Sequence, residues 1–289
     1  MLQFKNNDIK NHILNEKNKL ITNDFINNLL KKYNCNHQVK NLDLFQLAMI
    51  HISYLEKTSY TEKTQKMLLE TIPIDDNIDL NNVIKLQTES YGRLEFYGDS
   101  VIKKILSKYL FQRYALENEG FLTQIRTKIE KSSTLSQLSI HLGLHEYAII
   151  ARNIEQANGR LTNIHLTEDI FEAFIGALEL DSDIYKTETF IINIIENCIN
   201  LSEMIDNNDN YKEQLNQYFQ KQKWGDPKYI CESSKSVFKI SISVPNSNVI
   251  GYGVDKIKID AEQLCAKDVL EKLNIINNND VTDFFGECI

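Results

Sequence analysis

Between Tyr91 and Leu110 apolar residues recur at steps of three and four, the period of an amphipathic helix, and two acids interrupt the apolar face. Glu95, Asp99, Ile102 and Leu106 fall on one narrow stripe, because steps of four, three and four each nearly complete whole turns. The acids therefore stand where a core-facing helix carries leucine. At about 6 Å and an effective dielectric near 20, two carboxylates repel by about 3 kcal/mol. Such a face is tolerable in a core only if one acid is protonated or a cation lies between them. The plainer alternative is that both acids ride a solvated helix edge.

A second stretch, Thr167 to Leu180, repeats the arrangement. Asp169 and Glu172 stand three apart on a face continued by Gly176 and flanked by Ala173, small residues that let another helix approach closely. Thr167 can cap this helix, and an acid such as Asp169 in its first turn then suits the helix dipole, which is the bland reading. Glu172 lies further in, between Phe171 and Ala173. If the two helices pack face to face, four carboxylates converge. That is a site for a hard divalent cation, Mg²⁺ above all and Mn²⁺ as an alternative, which takes oxygen ligands and keeps several waters.

Nothing before residue 200 alternates in the manner of a strand. Helical spacing marks 24–33, the more apolar 41–54, 93–114, 120–126, 133–142 and 190–201, whereas 1–22 is a polar extension and 153–163 a polar stretch. Residues 56–90 are polar and irregular, an insertion. Residues 204–210 read as a linker, and the pattern then changes. A helix at 211–221 is followed by three alternating stretches at 228–233, 237–244 and 249–254 and a final helix at 260–273. The chain thus reads as an all-helical domain over 23–203, an α-β-β-β-α domain over 211–275 and an acidic tail at 276–289.

The net charge of −8 argues against a broad positive field. Over 209–275, however, ten lysines meet nine acids, so any nucleic-acid contact there depends on a few placed lysines. The five cysteines are scattered and form no CxxC, which predicts a reduced intracellular protein without structural zinc. No signal-peptide pattern opens the chain, and no apolar run is long enough to span a bilayer, so no membrane partner is expected.

The motif Arg93-Leu-Glu-Phe-Tyr-Gly-Asp-Ser-Val resembles the signature of the ribonuclease III family. The resemblance extends to Ala48–Tyr54, Glu119–Arg126, His141–Leu144 and Asp169–Ala177, in the family's order, and the C-terminal α-β-β-β-α pattern resembles a double-stranded-RNA-binding domain. It implies an all-α ribonuclease III catalytic domain that homodimerises, followed by the small α+β domain. It also implies Mg²⁺-dependent cleavage of double-stranded RNA in RNA processing, leaving 5′ phosphates, 3′ hydroxyls and short 3′ overhangs. The family's four carboxylates fall on Glu95, Asp99, Asp169 and Glu172, the same four that the helix argument selects. A second reading keeps the fold as a dimeric scaffold that binds duplex RNA without cutting it, but a scaffold has no reason to retain like charges face to face.

In the small domain the resemblance places RNA contacts at Asn216 and Gln220 of the first helix and at Lys235, Lys256 and Lys258. Several positions depart from the family pattern. Gly92 stands where many relatives carry an acid, and Lys131-Ser132-Ser133 replaces an Asn followed by acids. Lys256 and Lys258 alternate with Ile257 and Ile259, which equally suits a strand with one wet face, and weakened duplex binding is the expectation. His51 and His141 read as packing residues, and Trp224 as a core or turn anchor of the small domain. His165, one turn before Asp169, is either a surface residue or a group close to the scissile phosphate.

Overall fold

The computed structural model describes residues 13–56, 83–206, 210–234 and 237–276. It divides between Ile199 and Asn200 into two compact units. The first holds α1 (Asn23–Lys32), α2 (Leu42–Leu47), α3 (Gly92–Arg113), α4 (Glu119–Ile129), α5 (Ser132–His141), the short α6 (Arg152–Gln156) and α7 (Gly159–Thr162), then α8 (Ile164–Asp181) and α9 (Ile184–Cys198). Two isolated bridges pair described residues of this unit, Ile50 with Ile149 and Leu55 with Gln87. No helix of the described residues is long and apolar enough to cross a membrane.

Helix α8 is the centre of this unit. Every residue from Ala173 to Leu178 is buried, with α3 and α5 packed against it. The closest approach is glycine on glycine. A Cβ on Gly98 of α3 would lie 1.8 Å from the Glu172 carbonyl oxygen, and one on Gly176 of α8 would lie 2.5 Å from the Leu94 carbonyl oxygen. The two backbones can touch only because neither position carries a side chain. Ile102 and Leu106 of the acid-bearing stripe are buried in α3, as its period predicts.

Asparagine begins many of these helices. The side chains of Asn41, Asn118 and Asn163 accept the first free backbone N–H groups of α2, α4 and α8, contacts worth about 1 kcal/mol each. Asn163, not Thr167, therefore caps α8, and the Thr167 hydroxyl instead meets Ser136 Oγ at 2.6 Å. Asp169 consequently lies in the second turn of α8, where the dipole argument for a surface acid has faded. At the far end, Asp181 is buried. It pairs with His37 Nε2 at 2.7 Å and accepts the backbone N–H groups of Lys40 and Asn41, fastening the 37–41 loop to α8. Burial raises the Asp181 pKa, but these hydrogen bonds outweigh it and hold the carboxyl below its usual value.

Three local expectations change. The segment 41–54 is not one helix: the chain leaves α2 so that Met49 and His51 can bond Ile149, and resumes as a 3₁₀ turn at Ile52–Tyr54. The polar stretch 153–163 contains α7 and most of α6. The end of the polar extension is tied in, since Ile13 and Ile21 are buried and the Asn15 and Asn18 amides both donate to the Ile150 carbonyl. The described ends of the 56–90 insertion meet, Glu56 N–H bonding Gln87 O and Gln87 N–H bonding Tyr54 O; its middle, 57–82, lies outside the described residues.

In the second unit α10 (Leu201–Asp206) occupies part of the expected linker. It is followed by α11 (Tyr211–Lys221), β1 (Ile230–Ser234), β2 (Val237–Ser243), β3 (Ile250–Asp255) and α12 (Lys258–Lys272). The strands form one antiparallel sheet in the order β1-β2-β3, with Ile240 and Ile242 facing a core of Leu215, Phe219, Cys265 and Val269. Trp224 packs edge-on against Phe219 and Tyr218, the anchor expected of it.

Candidate active site

The crossing of α3 and α8 places the acids. Gly98 sits between Glu95 and Asp99, and its Cα abuts the Glu172 backbone, so α8 enters between the two acids of α3. Glu95, Asp99, Asp169 and Glu172 are all half-buried there. Burial raises the Glu172 pKa first, and the charges of Asp99, Glu168, Glu95 and Asp169 add to it, taking it to about 8. Glu95 is raised by burial and then by Asp169, Glu168 and Asp99. Asp169 is also raised, by burial first, although a Tyr91 hydrogen bond and His165 oppose the rise. Glu172 therefore feels Glu95 and Asp99 across the crossing and Glu95 feels Asp169, and neither helix rides a fully solvated edge.

Sequence reasoning overlooked four neighbours. Glu168 adds a fifth negative charge from α8 and lies 3.3 Å from the exposed His165 ring, which makes His165 a surface partner of the cluster. The Tyr91 hydroxyl donates to Asp169 Oδ2 at 2.8 Å. Lys103 Nζ donates to Asp99 Oδ2 at 2.7 Å from the solvent side, an i,i+4 pair along α3. Glu130, raised by burial, is opposed by Arg126 and Lys103. Glu168 and Lys103 had local signs, adjacency to Asp169 and i,i+4 spacing from Asp99, whereas Tyr91 and Glu130 reach the site only through the fold.

As the side chains lie, no three His, Cys, Asp or Glu groups among the described residues close on one point. Tyr91 holds one oxygen of Asp169, and Lys103 holds one of Asp99. The donor set nevertheless suits a hard divalent ion: it is all oxygen and half-buried, and burial first, then the surrounding negative charge, raises the Glu172 pKa to about 8. Of the histidines, His51 is tied through Nδ1 to Ser53 and packs at a tilt against Tyr91, whereas His141 is exposed, contrary to its reading as a packing residue.

In the second unit Gln220, Lys256 and Lys258 are exposed, and Asn216 is half-buried. Lys235 lies outside the described residues. Lys256 precedes α12 and Lys258 opens it, so the Lys/Ile alternation ends at a helix and does not extend the strand. No side chain caps that helix start, leaving its first N–H groups to solvent or a ligand. Glu262, one turn in, pairs with Lys212 and stands 3.8 Å from Lys258, which drains positive charge from this end.

A helical unit with four half-buried carboxylates on two crossing helices, joined to an α-β-β-β-α unit whose last helix opens on lysines, has the architecture of a nuclease for double-stranded RNA. Residues 92–183 match the ribonuclease III domain and residues 211–273 the double-stranded RNA binding motif. The chain is 33% identical over 190 residues to ribonuclease 3 of Chlorobaculum tepidum, covering 64% of this chain and 69% of that one. It is 37% identical over 218 residues to a probable ribonuclease 3 of Acanthamoeba polyphaga mimivirus, covering 73% of this chain but only 39% of that longer protein. Among solved structures, the nuclease domain of ribonuclease III from Campylobacter jejuni is 21% identical, with a TM-score of 0.44, covering 59% of this chain and 96% of that one. The chain belongs to the ribonuclease III family and is a ribonuclease III-type endoribonuclease.

Proposed function

We propose that this endoribonuclease hydrolyses both strands of duplex RNA with resident Mg²⁺, Mn²⁺ serving as a substitute, and leaves 5′ phosphates, 3′ hydroxyls and short 3′ overhangs. The observation that carries the proposal is that Glu95 and Asp99 flank the glycine crossing opposite Glu172 and Asp169, and that burial and these neighbouring charges together raise the Glu172 pKa. These four residues would hold the ion. When bound, it supplies a Lewis-acidic centre that makes water nucleophilic and offsets charge on the departing 3′ oxygen. Glu172 retains a proton near neutral pH, and a bound ion would have to displace it, so metal affinity would rise with pH toward about 8. In the small unit the open end of α12, with Lys256 and Lys258, contacts backbone phosphates, while Asn216 and Gln220 face the minor groove.

A second copy of the chain completes the enzyme. Phe96, 77% exposed, and Leu180, 55% exposed, border an open groove of about 950 Å³ lined also by Leu44, Leu47 and Tyr97. Phe96 directly follows Glu95, so a symmetric contact along this face brings two acid clusters to one duplex. Cys35, Cys198, Cys231 and Cys265 carry thiols that form no disulfide, which accords with a reducing, intracellular setting.

The test is a labelled perfect RNA duplex incubated with wild type and Glu172→Gln, with and without Mg²⁺. Cleavage is expected only from wild type with the ion, while both proteins retain duplex binding. Equal cleavage by the variant under single-turnover conditions would refute the site assignment; binding without cleavage by wild type would leave a scaffold.

A further inference from the structure

We propose that Tyr91 is a positioning residue for Asp169: its hydroxyl occupies Oδ2 and sets the carboxylate's orientation, so that Oδ1 takes the ligand role. The inference rests on the reading of the four acids as a divalent-ion site.

Several observations hold the phenol in place. Tyr91 is only 4% exposed although it immediately precedes α3. Its backbone N–H donates to Ile50 O at 2.9 Å, and its carbonyl accepts the N–H groups of Leu94 and Glu95 at 2.8 and 3.0 Å. Its ring lies 5.8 Å from that of His51, whose Nδ1 is 2.8 Å from Ser53 Oγ. One residue thus starts the helix that carries Glu95 and, through its side chain, grips the acid of the facing helix. A hydrogen bond to an ionised acceptor is roughly twice as strong as a neutral one, and it removes a rotational freedom that metal binding would otherwise have to quench. Partners of this kind behind a metal ligand commonly alter metal affinity by about 10–100-fold.

The experiment measures Mn²⁺ binding to the full chain by electron paramagnetic resonance, without RNA or turnover, alongside the melting temperature of the metal-free protein. Tyr91→Phe keeps the ring and the backbone contacts and removes only the hydroxyl. Its Mn²⁺ affinity is expected to fall about tenfold, with a melting temperature within about 3 °C of wild type. The double variant Tyr91→Phe/Asp169→Asn is expected to bind no more weakly than Asp169→Asn alone, because the hydroxyl acts only through that carboxylate. Unchanged affinity in Tyr91→Phe overturns the proposal. So do additive losses in the double variant, or a loss that accompanies a large drop in melting temperature, since packing would then account for it. If wild type takes up no Mn²⁺, or Asp169→Asn leaves its affinity untouched, the metal-site reading itself fails and the two failures are told apart.

Discussion

Glu172 stabilises the metal-free fold in acid and destabilises it in base, and removing its charge should reverse that cost. Its pKa rises from an ordinary 4.5 in the unfolded chain to about 8 in the folded one. Between those values the folded state binds more protons than the unfolded state, so stability is full below about pH 4.5 and declines as pH climbs through about 8. At 1.36 kcal/mol per unit, the full effect would approach about 5 kcal/mol; solvent on the open side of the cluster screens it to about 2 kcal/mol. Glu172→Gln should therefore raise the stability of the helical unit by about 2 kcal/mol at pH 8.5 in chelator, or about 4–8 °C in melting temperature. The gain should shrink toward nothing as pH falls to about 5. Far-UV circular dichroism follows the helices, while the single tryptophan, Trp224, reports the small unit separately. Mg²⁺ should stabilise wild type at pH 8.5 more than the variant. A variant that is destabilised equally at both pH values would show that the acids do not repel one another as argued.

Three further perturbations test other parts of the argument. Gly98→Ala puts a methyl 1.8 Å from a backbone oxygen, so it should cost about 1–3 kcal/mol and slow cleavage at least about tenfold by parting the acids; normal cleavage would disprove the close crossing. Phe96→Glu should leave the melting of a single chain nearly unchanged but convert dimers to monomers in sedimentation, and a persisting dimer would place the interface elsewhere. Glu262→Gln should release Lys212 and Lys258, tighten duplex binding roughly threefold and steepen its salt dependence by about one ion; unchanged binding would remove the α12 end from the RNA contact.

Helical period is a local property, and it placed Glu95 with Asp99 on one stripe and Asp169 with Glu172 on another before any fold was known. Small residues are local too, and Gly176 and Ala173 already announced a close helix partner. The α-β-β-β-α order of the small unit was equally legible, because a period of two gives way there to a period of three to four. Helix ends were less so: Asn163 and Thr167 are both competent caps, and only the packing of Thr167 against Ser136 settles which one serves. The break after α2 likewise depends on Ile149, about a hundred residues away.

What the linear chain could not express is which side chains meet across the crossing. Tyr91 and Asp169 are 78 positions apart, and no periodicity relates them; they bond because α3 and α8 touch at two glycines. The raised pKa of Glu172 has the same origin, since burial and the charges of the opposite helix exist only once both helices share a face. Spacing along a chain sets which residues lie side by side on one element, whereas the energy of a site depends on distances between elements, and those are set by how the surfaces pack.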